Sequence, residues 1–222
     1  MIVLYSQAEE NYLKCIYALE MEHGEEVSTN LIASKIKTKA SSVTDMLKKL
    51  SAKDLVAYKK YQGVRLTERG RETALRVVRK HRLWECFLVQ KLDFKWDEVH
   101  EIAEQLEHIE SDLLIDKLDA FLRFPKTDPH GDPIPDKHGR MIISETVRVL
   151  DMRIGSSGIL TGVRDSSGPF LKYLNKKNLA LGDKIKVIDI EPYDQSVHIE
   201  TRTHRLVISN NVAENLYLRN VK

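Results

Sequence analysis

The chain has 222 residues, 42% of them hydrophobic and 31% charged, with a formal net charge of +2 at pH 7. That length holds one large domain or two to three small ones, with enough apolar content for a core and enough charge for solubility. No run of eighteen apolar residues occurs and "MIVLYSQAEENYLK" lacks the basic and apolar regions of a signal peptide, so neither a membrane span nor export is expected and the chain is expected in the cytoplasm. The cysteines, Cys15 and Cys86, form no CxxC pair and read as buried thiols.

The small net charge hides two opposed segments. Lys35 to Arg71 carries eleven basic and three acidic residues, +8, whereas Asp97 to Asp119 carries nine acidic residues and one Lys, −8. The first suits a polyanion and the second suits cations.

In chain order, "AEENYLKCIYALEME" has helical apolar spacing at Tyr12, Leu13, Ile16, Tyr17 and Leu19 and is closed by Gly24. "VSTNLIASKIKT" predicts a second helix capped by Ser28 or Thr29. A third, "KASSVTDMLKKLSAKDLV", turns Val43, Met46, Leu47 and Leu50 inward. "VAYKKYQGVRLT" predicts two short strands about Gln62-Gly63, and Thr67 caps a long fourth helix. This is the order of a winged helix-turn-helix. Its third helix would enter the major groove, presenting Lys39, Ser41, Ser42, Thr44, Asp45, Lys48 and Lys49, with Lys37 just before it. Lys60 and Arg65 stud the wing, with Lys59, where phosphates would lie.

"HEIAEQLEHIESD" follows. If it is helical, His100, Glu104, Glu107 and His108 share an arc of roughly 100°. Taken alone, such a stripe is more often a solvated face. As ligands, imidazole nitrogen and carboxylate oxygen suit first-row divalent ions. His81 and Glu85, four residues apart on the fourth helix, offer a second half, since "DFKW" would join two antiparallel neighbours. "IESDLLIDKLDAFLRF" predicts a sixth helix ending before Pro125, and "PKTDPHGDPIPDKHG" a structured turn or linker. "GILTGVRD", "DKIKVIDIE", "QSVHIETRTHRLVIS" and "NLYL" then predict a small barrel or sandwich of about five strands. His23, His138, His198 and His204 read as surface or loop histidines.

The segments "YLKCIYALE", "SSVTDMLKKL", "GVRLTERG", "RKHRLWE", "VHEIAEQLEHIESD" and "HGDPIP" resemble the diphtheria-toxin-repressor family of metal-dependent transcriptional repressors, and more closely its manganese-responsive branch. The resemblance spans roughly the first 140 residues, and the β-rich end looks like the family's SH3-like domain. It implies a mainly α fold with β: a winged helix-turn-helix over 1–73, a helical dimerisation and metal-binding domain over 74–142, and an SH3-like domain over 143–222.

The same resemblance implies residue roles. His81, Glu104, Glu107 and His108 match the primary metal site, where a carboxylate at position 104 marks the manganese-responsive branch. Asn11 aligns with that site's N-terminal ligand, an Asp or Met in relatives, with Glu9 and Glu10 as alternatives. Lys14 stands where some manganese sensors hold a bridging Glu, which argues against a binuclear arrangement. A second site is implied at Glu85, Asp128, His130 and Asp165, with His100 as an ancillary ligand or an outer hydrogen bonder. For Asp128 and His130 a Pro-flanked turn is an equally open reading.

Leu113, Leu114, Leu118, Phe121 and Leu122 are the expected dimer face. The implied function is a homodimeric repressor of metal-uptake genes, binding a palindromic operator with Mn(II) or Fe(II) as co-repressor. The alternatives are a metalloenzyme, against which the lack of HExxH or a nucleophile elbow speaks, and a metal-independent DNA-binding module.

Overall fold

Ser6 opens the first helix, α1 (Gln7–His23), by a reciprocal cap. Its hydroxyl accepts the Glu9 N–H at 3.3 Å and the Glu9 carboxylate accepts the Ser6 N–H at 3.0 Å. The computed structural model describes residues 5–24, 26–59 and 62–222. Within them the chain divides into two compact units, one drawn from 1–81, 104–116 and 135–140, the other from 82–103, 117–134 and 141–222.

In the first unit α1 buries Tyr12, Leu13, Ile16 and Leu19. Ser28 caps α2 (Thr29–Ile36), and Lys37, in the left-handed region at φ 57°, ends it. The chain then re-enters a helix, α3 (Ala40–Ala52), whose Val43, Leu47 and Leu50 are fully buried. Strands β1 (Val56–Lys59) and β2 (Gly63–Leu66) pair antiparallel, and Val27 bridges to Val64 on the far side of β2. Thr67 then accepts the Gly70 N–H at 3.0 Å and starts α4 (Glu68–Leu92). A Cβ on Gly70 would lie 1.8 Å from the Leu55 carbonyl oxygen, so only glycine lets α4 approach so closely. Helix, helix, helix, β-ribbon, helix is the expected order of the winged head.

One buried carboxylate, which the sequence pattern did not single out, fastens this head together. Glu20, in the last turns of α1, accepts the Leu66 N–H from β2 at 2.6 Å and the Arg71 guanidinium from α4 at 2.6 Å. Glu20→Ala strands a buried N–H and an arginine. The expected loss is about 2–3 kcal/mol in urea unfolding, and Glu20→Gln, which keeps an acceptor, loses less.

Two expectations for the following segment are corrected. The fifth helix, α5 (His100–Leu106), stops before Glu107 and His108, which form a turn, so the four-residue stripe is not a helical one. In α6 (Asp112–Phe121) and just after it the expected dimer face splits. Leu113, Leu114 and Phe121 are 68%, 39% and 59% exposed, whereas Leu118 and Leu122 are each 6% exposed. Ile115, Leu118 and Leu122 follow the i, i+3, i+7 spacing of an inward stripe, so two of the five expected residues serve this chain's own packing.

In the second unit a six-stranded antiparallel sheet has the order β3-β8-β4-β5-β6-β7, one strand more than the five expected. Its strands are β3 (Val147–Arg148), β4 (Ser157–Val163), β5 (Lys184–Ile190), β6 (Val197–Glu200), β7 (Arg205–Ile208) and β8 (Leu216–Arg219). β3 has only two residues, too short to show alternation in the sequence. Bulges at Leu160/Gly162 and Val187/Asp189 break the register of β4 and β5, the device that curves small sheets. Helix α7 (Gly168–Lys176) buries Phe170, Leu171 and Leu174 in the same core as Leu160, Ile185, Val187 and Ile199. A short α8 (Asn210–Glu214) precedes β8.

Candidate metal centre

In the second unit Glu85, Asp128 and His130 are all buried and each offers a ligand atom within 4.8 Å of the others. Glu85 comes from α4, and the other two come from a tight turn. There one Asp128 oxygen accepts the backbone N–H of His130 at 2.8 Å and of Asp132 at 3.0 Å. Gly131 makes this turn possible: its φ is +94°, and a Cβ would meet the Thr161 carbonyl oxygen at 2.1 Å.

The His130 ring is oriented from behind. Nε2 donates to the Trp96 carbonyl at 2.8 Å and the Trp96 ring stacks on it with centroids 6.3 Å apart, leaving Nδ1 3.6 Å from Glu85. An imidazole held this way by a carbonyl on its outer nitrogen is the usual setting of a metal-ligating His. His100 Nδ1 lies 3.5 Å from the other Glu85 oxygen, on the exposed side.

The electrostatics fit a cation. Burial pushes the Asp128 carboxyl up to about 7, with the charges of Asp132 and Glu85 adding to it and Arg82 and His130 opposing. Burial works to lower His130, but the hydrogen bond and charge of Glu85, then the charge of Asp128 and the Trp96 carbonyl, outweigh it and hold the imidazole at about 9. Burial and mutual charge thus favour the protonated forms of Asp128 and His130, and a divalent ion held by Glu85, Asp128 and His130 would take over that positive charge. Asp165 is not in this set. Its Oδ1 accepts the Ser167 N–H at 2.8 Å, and its loop runs beside the turn through the Val163 N–H to the His130 carbonyl, 3.0 Å.

In the first unit the other predicted ligands gather differently. Glu107 is 0% exposed and lies 2.5 Å from His81 Nδ1. Lys14 donates to both its oxygens, at 2.6 and 2.8 Å, and reaches Glu104 at 3.5 Å. Burial works to raise the Glu107 carboxyl, but the His81 hydrogen bond and the Lys14 charge hold it below its ordinary value. His108 turns its Nδ1 to Glu10, 2.6 Å away, and Lys80 lies 3.6 Å from the second Glu10 oxygen. Asn11 lies outside this cluster on the exposed side of α1; one residue earlier, at 100° around the helix, the alternative Glu10 is buried and faces it. As arranged, the carboxylates Glu107 and Glu10 each meet both an imidazole and a lysine of the chain, and His108 Nε2 lies 3.7 Å from Glu107.

The winged head presents Lys37, Lys39, Ser41, Ser42, Asp45, Lys48, Lys49 and Arg65 exposed. Thr44 is half-buried and spends its hydroxyl on the Ala40 carbonyl at 3.0 Å, and Lys48 pairs with Asp45 at 3.3 Å. Lys60 lies outside the described residues. Cys15 and Cys86 are buried thiols, and burial pushes Cys15 up to about 11. Among the described residues no helix is long and apolar enough to cross a membrane.

A winged head joined to a buried carboxylate–imidazole group and a small β domain defines a metal-responsive DNA-binding regulator. Residues 5–64 match the N-terminal DNA-binding domain of iron-dependent repressors, 67–136 their metal-binding and dimerisation domain, and 147–220 the FeoA domain. An uncharacterised helix-turn-helix transcriptional regulator of Methanocaldococcus jannaschii is 37% identical over 117 residues, 53% of this chain and 94% of that protein. The iron-dependent repressor IdeR of Mycobacterium bovis is 36% identical over 57% of this chain, and the match spans only 54% of that repressor. A manganese-dependent transcriptional repressor, solved in complex with manganese, superimposes with a TM-score of 0.86 at 32% identity, covering 95% of this chain and 98% of that one. The chain belongs to the diphtheria-toxin-repressor family of iron- and manganese-dependent transcriptional repressors, which are DNA-binding proteins and not enzymes.

Proposed function

We propose that this chain is a cytoplasmic homodimer that binds a palindromic operator when Mn(II) or Fe(II) is held by Glu85, Asp128 and His130, and so represses metal-uptake genes. The observation that carries the reading is the buried Glu85–Asp128–His130 group, two carboxylates and an oriented imidazole whose ligand atoms lie within 4.8 Å of one another. Glu85, Asp128 and His130 would hold the divalent ion, whose positive charge would make one arrangement of this group more stable than others. Asp165 is the proposed contribution of the β domain and His100 an outer partner of Glu85. The segments 1–73, 74–142 and 143–222 are the proposed DNA-binding, metal-binding and SH3-like parts.

On DNA, Ser41, Ser42, Thr44 and Asp45 near the start of α3 are the proposed base-edge readers. Lys37, Lys39, Lys48, Lys49, Lys60 and Arg65 are the proposed phosphate contacts. Leu113, Leu114 and Phe121, exposed in the single chain, are the proposed dimer face. A duplex selected from a random pool in the presence of Mn(II) tests the reading by fluorescence anisotropy. Affinity is expected to rise about 10–100-fold with Mn(II), the scale of an ordinary coupling between sites. Equal affinity with Mn(II) and with chelator overturns it.

A further inference from the structure

We propose that Lys14 is a tethered cation that closes the His81–Glu104–Glu107–His108 cluster in place of a divalent ion, so that the metal response of this chain rests on the Glu85–Asp128–His130 group. The second half of this inference rests on the function proposed above; the first half stands on the cluster itself.

The Lys14 ammonium occupies the carboxylate oxygens that an ion would have to use. It bridges both oxygens of Glu107 and reaches Glu104, while Glu107 also holds His81. Residues from α1, α4 and the turn after α5 are thereby joined at the Glu107 carboxylate, with Lys14 as its cation, a linkage the family resemblance assigns to metal. The second carboxylate of the cluster is served in the same way: Glu10 holds His108 and lies 3.6 Å from Lys80. Both buried carboxylates thus carry a lysine from the chain itself.

An incoming ion has to displace Lys14 from a carboxylate that is 0% exposed, and a freed ammonium needs rehydration. Because the lysine is part of the chain, its effective concentration at Glu107 is on the order of millimolar or above. Asn11, the family's N-terminal ligand position, is neutral and on the outer side of α1, so it adds no anionic donor to repay that exchange.

The test counts Mn(II) bound to the full chain by the loss of the free-ion EPR signal, in the wild type, Lys14→Met, Lys14→Arg and His130→Ala. The wild type and Lys14→Arg are expected to take up one Mn(II) tightly, with any second at least about 100-fold weaker. Lys14→Met is expected to gain a second. A wild type that fills two sites with similar affinity, or a folded Lys14→Met that gains none, overturns the role of Lys14.

His130→Ala tests the underlying reading separately. If it keeps the wild-type ion, the assignment to the Glu85 group fails, whatever Lys14→Met does. Should Lys14→Met not fold, amine acylation of the wild type followed by mass spectrometry decides. Lys14 is expected to stay equally protected with and without saturating Mn(II), and exposure on adding the metal overturns the proposal.

Discussion

His130→Ala is expected to lose the Mn(II) response of operator binding while keeping the basal, metal-free affinity. Removing a hydrogen-bond partner from behind a ligand typically costs about 10–100-fold in metal affinity, so removing the ligand costs at least about 100-fold. The Trp96 carbonyl fixes the His130 ring with Nδ1 toward Glu85, an orientation that alanine cannot supply. Glu85→Gln is expected to act in the same direction, since it exchanges a buried anion for a neutral amide. Mn(II) titration followed by operator anisotropy checks both, and a His130→Ala protein with wild-type Mn(II) affinity excludes this group as the sensor.

The second large effect is on stability. Glu107→Leu leaves the Lys14 ammonium and the His81 ring without their shared buried partner. Removing one member of a buried ion pair typically costs about 3–5 kcal/mol, far more than an exposed pair contributes, at about 0–1 kcal/mol. The pair need not be stabilising in itself. The double substitution Lys14→Met with Glu107→Leu is therefore expected to recover most of the loss, as a double-mutant cycle would register. Chemical denaturation of the four proteins in chelator measures this, and simple additivity of the two single losses contradicts the pairing.

Much of the winged head could be read from residues alone. The apolar spacing of α1 and α3 and the Ser28 and Thr67 caps are local, and local signals survive folding. The metal-capable side chains were also legible as residue types. Their grouping was less so. Nothing in "LEHIESD" marks the end of α5 at Leu106, as neither Gly nor Pro stands there, so Glu107 and His108 looked like one helical stripe. In the turn Glu107 meets Lys14 and His81, while His108 turns Nδ1 to Glu10 and keeps Nε2 3.7 Å from Glu107.

Which residue of α1 faces His108 was a matter of 100° of helix rotation, and the alignment position Asn11 was on the wrong side of it. Glu20 left no signal, because its partner Leu66 lies 46 residues on and a carboxylate near a helix end ordinarily meets water. For Leu118 and Leu122 the periodicity was visible, but a single apolar stripe does not say whether it covers its own chain or a partner.

The Glu20 clasp limits how this protein can be recombined with its relatives. A graft that exchanges only the ribbon, or only the first helix, separates a carboxylate from the amide and guanidinium it was matched to. Chimaeric regulators built from this chain should therefore take residues 5 to 71 as one indivisible cassette, with the crossover placed downstream of Arg71.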